Sequence, residues 1–118
     1  MTAPLENYLR SYRKRSAFSQ DEVAFLLGSS SGAKISRYER RGRRPPLETA
    51  LAYEAIFQVP VSALFAGLYQ KVERETAARA QLLARKLAGS EPRKATPSKM
   101  ALLDALCSAQ PAPQNKRP

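Results

Sequence analysis

Lys34, Arg37, Arg40, Arg41, Arg43 and Arg44 place six cations in eleven positions, with Glu39 the only anion among them, a local net charge of +5. Guanidinium and ammonium groups at that density hold anions, phosphate above all, and an Arg fork can donate two hydrogen bonds to the edge of a guanine. Groups for bond-making chemistry are scarce. The sequence has no His and one cysteine, Cys107, which leaves no Cys/His metal site, no His-based triad and no intrachain disulfide. Besides carboxylates, the only plausible nucleophiles are Ser62, the Ser29–Ser31 run and Cys107, and none has a recognisable base beside it. These residues argue against an enzyme and call for no metal or cofactor; Cys107 reads as a small packing residue.

The bias toward cations extends over the whole chain. Lys plus Arg number 20 and Asp plus Glu 10 in 118 residues, a net charge of +10. An anionic partner follows, nucleic acid first and an acidic protein or membrane surface second. One domain with room for a tail is the size prior. A lone cysteine fits a reducing compartment. The N-terminus has no apolar signal-peptide core and no stretch is long enough to span a bilayer, so a cytoplasmic protein is expected.

The elements that must carry the basic stretch lie just before it. Ser19 and Glu22 form the capping box S-x-x-E, and Phe18 and Val23 are spaced for a hydrophobic staple. Val23, Leu26 and Leu27 mark one face of a helix from Ser19 to Leu27, with Ala24 beside them. Gly28 stands where a left-handed C-terminal cap wants no Cβ. Any of Ser29, Ser30 and Ser31 can cap the next helix, expected from Ser31 or Gly32 to Arg40. In it, Ile35, Tyr38 and Glu39 share one face, and Ala33, Ser36, Arg37, Arg40 and Arg41 fall on the other. A short helix with a small, basic outer face, held by a capped helix before it, suits a DNA major groove.

Around this pair the chain reads as helices, with no convincing strand. Leu5, Leu9 and Tyr12 predict a first helix over Leu5–Arg15. Gly42, Pro45 and Pro46 break the pattern, and Leu47 opens a fourth helix apolar enough to be well buried. Val61–Ala66 gives a short fifth helix, with Gly67 the only strong breaker after it. From Leu68 to Ala88 good helix formers dominate. Leu68, Val72, Thr76, Ala80, Leu83 and Leu87 make a thin seam that suits either a helix lying back on the domain or a dimerisation helix. Residues 90–98 are a linker by composition, 99–108 a short apolar helix that needs a partner, and 109–118, with three prolines, a disordered basic tail.

Taken as a set, LRSYRKRSAFSQDEVAFLLG, ISRYER and RRPPLETALAYEAIFQVPVSALF resemble the Cro/repressor-like helix-turn-helix family, the Xre-type regulators. The resemblance runs from Leu9 to Phe65, slightly under half the chain. It implies an all-α, five-helix, lambda-repressor-like DNA-binding domain, placed at residues 1–66; the composition of the residues after it adds a C-terminal helical extension whose long helix covers 67–89. The resemblance also implies that the third helix docks in the major groove and that Ala24 is small because this helix crosses closely there. Lys34 and Arg37 match the family's base-reading positions, with Ala33 and Ser36 beside them. Gln20 falls near a DNA phosphate, and Arg13 pairs with Glu39 as a structural ion pair. Two departures stand out. The turn between Gly28 and Ile35 is one residue longer than the family's, and Arg40-Arg41 replace the Asn-Gly that often follows the Glu, which would let the helix run on.

The expectation is a sequence-specific regulator of transcription, a repressor, acting on double-stranded DNA at the nucleoid. Arg37 and Lys34 are expected at bases, with Ser31, Ser36 and the Ala33 methyl as further base contacts. Gln20, Arg40, Arg41, Arg43 and Arg44 are expected at phosphates, which position without specifying. A homodimer is expected because one module buries little surface and two would span an inverted repeat. The rival readings are an antitoxin or adaptor that holds a protein partner through its C-terminal helices, and a sequence-blind nucleic-acid binder.

Overall fold

The computed structural model describes residues 5–108, and over them the chain is all-helical, with no strand. The basic tail expected over 109–118 lies outside the described residues. The chain divides into two compact units at Tyr69/Gln70. The first holds α1 (Leu9–Arg15), α2 (Gln20–Leu26), α3 (Gly32–Glu39), α4 (Leu47–Phe57), α5 (Val61–Leu64) and the opening turn of α6 (Ala66–Ala88).

The core of this first unit draws on every one of its helices. Leu9, Val23, Ile35 and Leu64 are fully shielded from solvent, and Ala24, Tyr38, Ala50, Tyr53 and Phe65 nearly so. Each buried aliphatic side chain of this size contributes about 1.5–3 kcal/mol relative to its exposed state. An aromatic run stiffens one side: Tyr53 stacks on Phe57 at 5.9 Å and meets Tyr38 edge-on at 6.4 Å. Ala24 is 2% exposed and α2 and α3 are in extensive contact, in keeping with a small residue at a close crossing.

Three helices end alike. At the ends of α1, α2 and α3, the residues Ala17, Gly28 and Arg41 take left-handed backbones with φ of 64°, 74° and 64°. Each is followed by a pair of bonds that closes the last turn, Gly28 N–H to the Phe25 carbonyl and Ser29 N–H to the Ala24 carbonyl in α2, for example. The capping box at the start of α2 is complete: Ser19 Oγ accepts from the Glu22 N–H at 3.0 Å and Glu22 Oε1 from the Ser19 N–H at 2.8 Å.

Several expectations are corrected. The first helix begins at Leu9, not Leu5, because the segment before it is spent on long-range backbone bonds. The Tyr8 N–H donates to the Leu64 carbonyl at 2.7 Å, and the Leu5 carbonyl accepts from the Gly67 N–H at 2.8 Å. That second bond satisfies an orphan amide at the start of α6, so Gly67 lies inside the helix instead of breaking it. The fourth helix is less buried than its apolar content suggests: Leu47 and Leu51 are exposed and only Ala50 and Tyr53 are buried. The third helix does not run on through Arg40-Arg41, because Arg41 turns left-handed and Gly42 N–H closes back on the Arg37 carbonyl.

The second unit comprises the rest of α6, a 3₁₀ turn at Pro92–Lys94 within the stretch expected as a linker, and α7 (Pro97–Ser108), which opens two residues before the expected Lys99. Among its described residues, Ala77, Ala80 and Leu103 are buried. Of the expected seam, Ala80 is buried, Thr76 and Leu87 are half-buried, and Val72 and Leu83 face solvent. No helix of the described residues is long and apolar enough to cross a membrane.

Candidate nucleic-acid interface

The outer face of α3 is defined by what its inner face buries. Gly32, Ile35 and Tyr38 turn into the core at helical spacing. That leaves Ala33 and Arg37 exposed and Lys34 and Ser36 half-exposed, with Ser31 exposed at the N-cap position. Lys34 and Arg37 are three residues apart and therefore share one face of the helix. Beyond the helix end, Arg40, Arg41, Arg43 and Arg44 are all exposed. None of Lys34, Arg37, Arg40, Arg41 or Arg43 has an ion-pair partner among the described residues, so their charge is available to an anion. Arg44 differs: its Nε donates to Glu6 Oε2 at 2.8 Å, and a phosphate at Arg44 would compete with that carboxylate.

A buried polar knot fixes the far end of α3. The Glu39 carboxylate, only 2% exposed, accepts from Arg13 Nε at 2.6 Å and Arg13 Nη2 at 3.1 Å, a bidentate fork. Gln20 Nε2 adds a third bond to Glu39 Oε1 at 3.1 Å, and Arg13 Nη1 also donates to the Phe18 carbonyl at 3.0 Å. The hydrogen bond with Glu39 raises the Arg13 pKa further above its already high usual value. This knot joins α1, the start of α2 and the end of α3. Asn7 adds a fourth element: its Nδ2 donates to the Tyr38 carbonyl at 3.1 Å and its Oδ1 accepts from the Leu9 N–H at 3.1 Å. Nearby, burial pushes the Tyr53 hydroxyl pKa well above its usual value, and the hydroxyl has no hydrogen-bond partner among the described residues.

The near end of α3 is held differently from the sequence expectation. Ser31 occupies the N-cap position, but its hydroxyl makes no capping bond, and neither do its serine neighbours. The Gly32 N–H donates instead to Asp21 Oδ1, at 3.1 Å, from the first turn of α2. Asp21 and Asn7 are two side chains fastening α3 that sequence reasoning missed. A residue that caps a helix eleven positions away leaves no local pattern, and an Asn before a helix looks the same whether or not it bonds to a second one.

A comparison with family models matches residues 9–64, just under half of the chain, to the helix-turn-helix family. Neither the curated proteins nor the solved structures contain a match. The matched span opens at the first residue of α1 and closes at the last of α5, and it contains the α2–turn–α3 pair, the buried knot and the exposed basic face. Residues 9–64 are thus a Cro/repressor-like, Xre-type helix-turn-helix domain, the DNA-binding module of a regulator.

Proposed function

We propose that the protein is a transcriptional repressor that lays α3 in the major groove of a specific double-stranded DNA operator. The observation that carries this reading is the free outer face of α3, with Lys34 and Arg37 solvent-facing on a helix pinned at both ends. Arg37 reads a guanine through its two-pronged donor set, and Lys34 reads a base or a flanking phosphate. Ser31, Ala33 and Ser36 complete the base-facing surface. Arg40, Arg41 and Arg43 hold phosphates, Arg44 does so in exchange for Glu6, and Gln20 offers a phosphate the amide hydrogen that Glu39 does not use. Occupying a promoter in this way blocks transcription in the cytoplasm, at the nucleoid.

The active species in this reading is a homodimer, with two α3 helices about 34 Å apart on an inverted repeat. Val72, Leu82, Leu83, Leu102 and Leu106 are exposed on α6 and α7, while the described residues of the unit that carries them bury little besides two alanines and one leucine. A unit so poor in core gains from a second copy. Selection of bound duplexes from a random pool tests the function. A palindromic consensus is expected, and a pool that returns unselected would contradict it. Sedimentation tests the assembly: the full chain should run as a dimer and Leu83→Glu/Leu106→Glu as a monomer. A monomeric full chain would favour the second reading, in which the same leucines hold a different protein.

A further inference from the structure

We propose that Asp21 is a positioning residue for base reading: its carboxylate, reaching across from α2, supplies the N-terminal cap that the long serine turn fails to give α3. The inference rests on the major-groove reading above. The turn from Gly28 to Gly32 contains three serines, any of which has the chemistry of a cap, yet none of their hydroxyls bonds to an amide of α3. Ser29 Oγ is buried without a partner among the described residues. Among the described residues, the single side-chain bond at the start of α3 is the one from the Gly32 N–H to Asp21 Oδ1. A carboxylate there also meets the positive end of the helix dipole.

The contact is built for closeness. A Cβ at Gly32 would lie 2.5 Å from Asp21 Oδ1, 3.2 Å from Gln20 Cβ and 3.3 Å from the Asp21 backbone nitrogen. A glycine is therefore what lets the start of α3 sit against the first turn of α2. The adjacent residue, Gln20, bonds to Glu39 at the last position of α3. Two consecutive side chains of α2 thus hold α3 at its first and last residues, seven positions apart, and this fixes both its tilt and its roll. Ala33, Lys34 and Arg37 lie between the two fastenings. Base hydrogen bonds are directional, and a small rotation of α3 would misplace the Arg37 fork while leaving phosphate contacts on flexible arginines largely intact.

Asp21 carries a negative charge on a protein that binds a polyanion, so charge and positioning predict opposite effects of its removal. The test compares wild type, Asp21→Ala and Asp21→Asn in full-length protein. Each is measured for binding to the selected operator and to random duplex, and for hydrogen exchange of the Gly32 amide without DNA. In D21A, the operator-over-random ratio should fall by about tenfold or more, the scale of one misplaced base contact, while binding to random duplex does not weaken. The Gly32 amide should exchange faster. D21N keeps an oxygen acceptor and should restore both the ratio and the protection. Parallel loss of operator and random binding in D21A would mean a stability effect only and would overturn the proposal, as would an unchanged ratio or unchanged exchange. A wild type without operator preference would sink the major-groove reading instead, and the exchange comparison would still decide whether Asp21 holds α3.

Discussion

Glu39 shows how one side chain can govern the interface without facing it. It lies at the end of α3 with its carboxylate almost wholly shielded and three donor contacts on its two oxygens. Such a pair need not add net stability against an apolar substitute, but removing one partner strands the other charge. In the proposed reading its role is orientation. That Arg13 belongs to Glu39 was legible only from the resemblance to the family, because residues 26 apart share no local pattern. Tyr53 is the opposite case, a polar atom in the core with no partner among the described residues. Burial raises its pKa, so the folded chain keeps the proton at pH values where the unfolded chain gives it up. The resulting stability is complete below about pH 10 and is lost as the pH rises beyond it. Tyr53→Phe should therefore stabilise the fold by about 1 kcal/mol near neutral pH, since it deletes an unsatisfied hydroxyl, and should flatten the alkaline decline. Denaturant melts at pH 7 and pH 11 check both parts, and equal sensitivity to pH in the two proteins would refute the assignment.

At the scale of elements, the sequence was most readable where helix ends are local. The capping box Ser19–Glu22 and the left-handed Gly28 follow from residues within a few positions of each other, and both are present. Reading failed where an end is completed from afar. The start of α1 is set by backbone bonds to Leu64 and Gly67, and the start of α3 by Asp21. It also failed where a left-handed position is filled by a residue that does not advertise it. Ala17 and Arg41 do at the ends of α1 and α3 what Gly28 does at the end of α2. A residue with a Cβ in this conformation costs about 1–2 kcal/mol, partly offset by the greater freedom of glycine when unfolded. Ala17→Gly should thus raise stability by roughly 0.5–1 kcal/mol. Thermal melts decide the matter, and a destabilised variant would show that the backbone at residue 17 is unstrained.

For the whole molecule, the governing quantity is charge. A net +10 on 118 residues draws the protein to any polyanion, and sequence preference must be added to that attraction. Composition alone announced the attraction, but only the fold separates the cations that stand free from those already paired. Arg43 is exposed and unpaired among the described residues, whereas Arg44 is shared with Glu6. Arg43→Ala should weaken binding to all duplexes alike and lower the slope of log K against log salt by about 0.9. Arg44→Ala should lower it by less, because its charge is partly neutralised before DNA arrives. Titrations at several salt concentrations measure both slopes, and equal slopes for the two variants would contradict the difference drawn here.

The most direct trial of the claim that the outer face of α3 reads bases is Arg37→Ala, measured against a complete set of single-base variants of the selected operator. Loss of discrimination at one base pair, worth roughly 1–3 kcal/mol, with the other positions still distinguished, is the predicted result. Uniform weakening across every sequence would contradict it and would make Arg37 a phosphate contact.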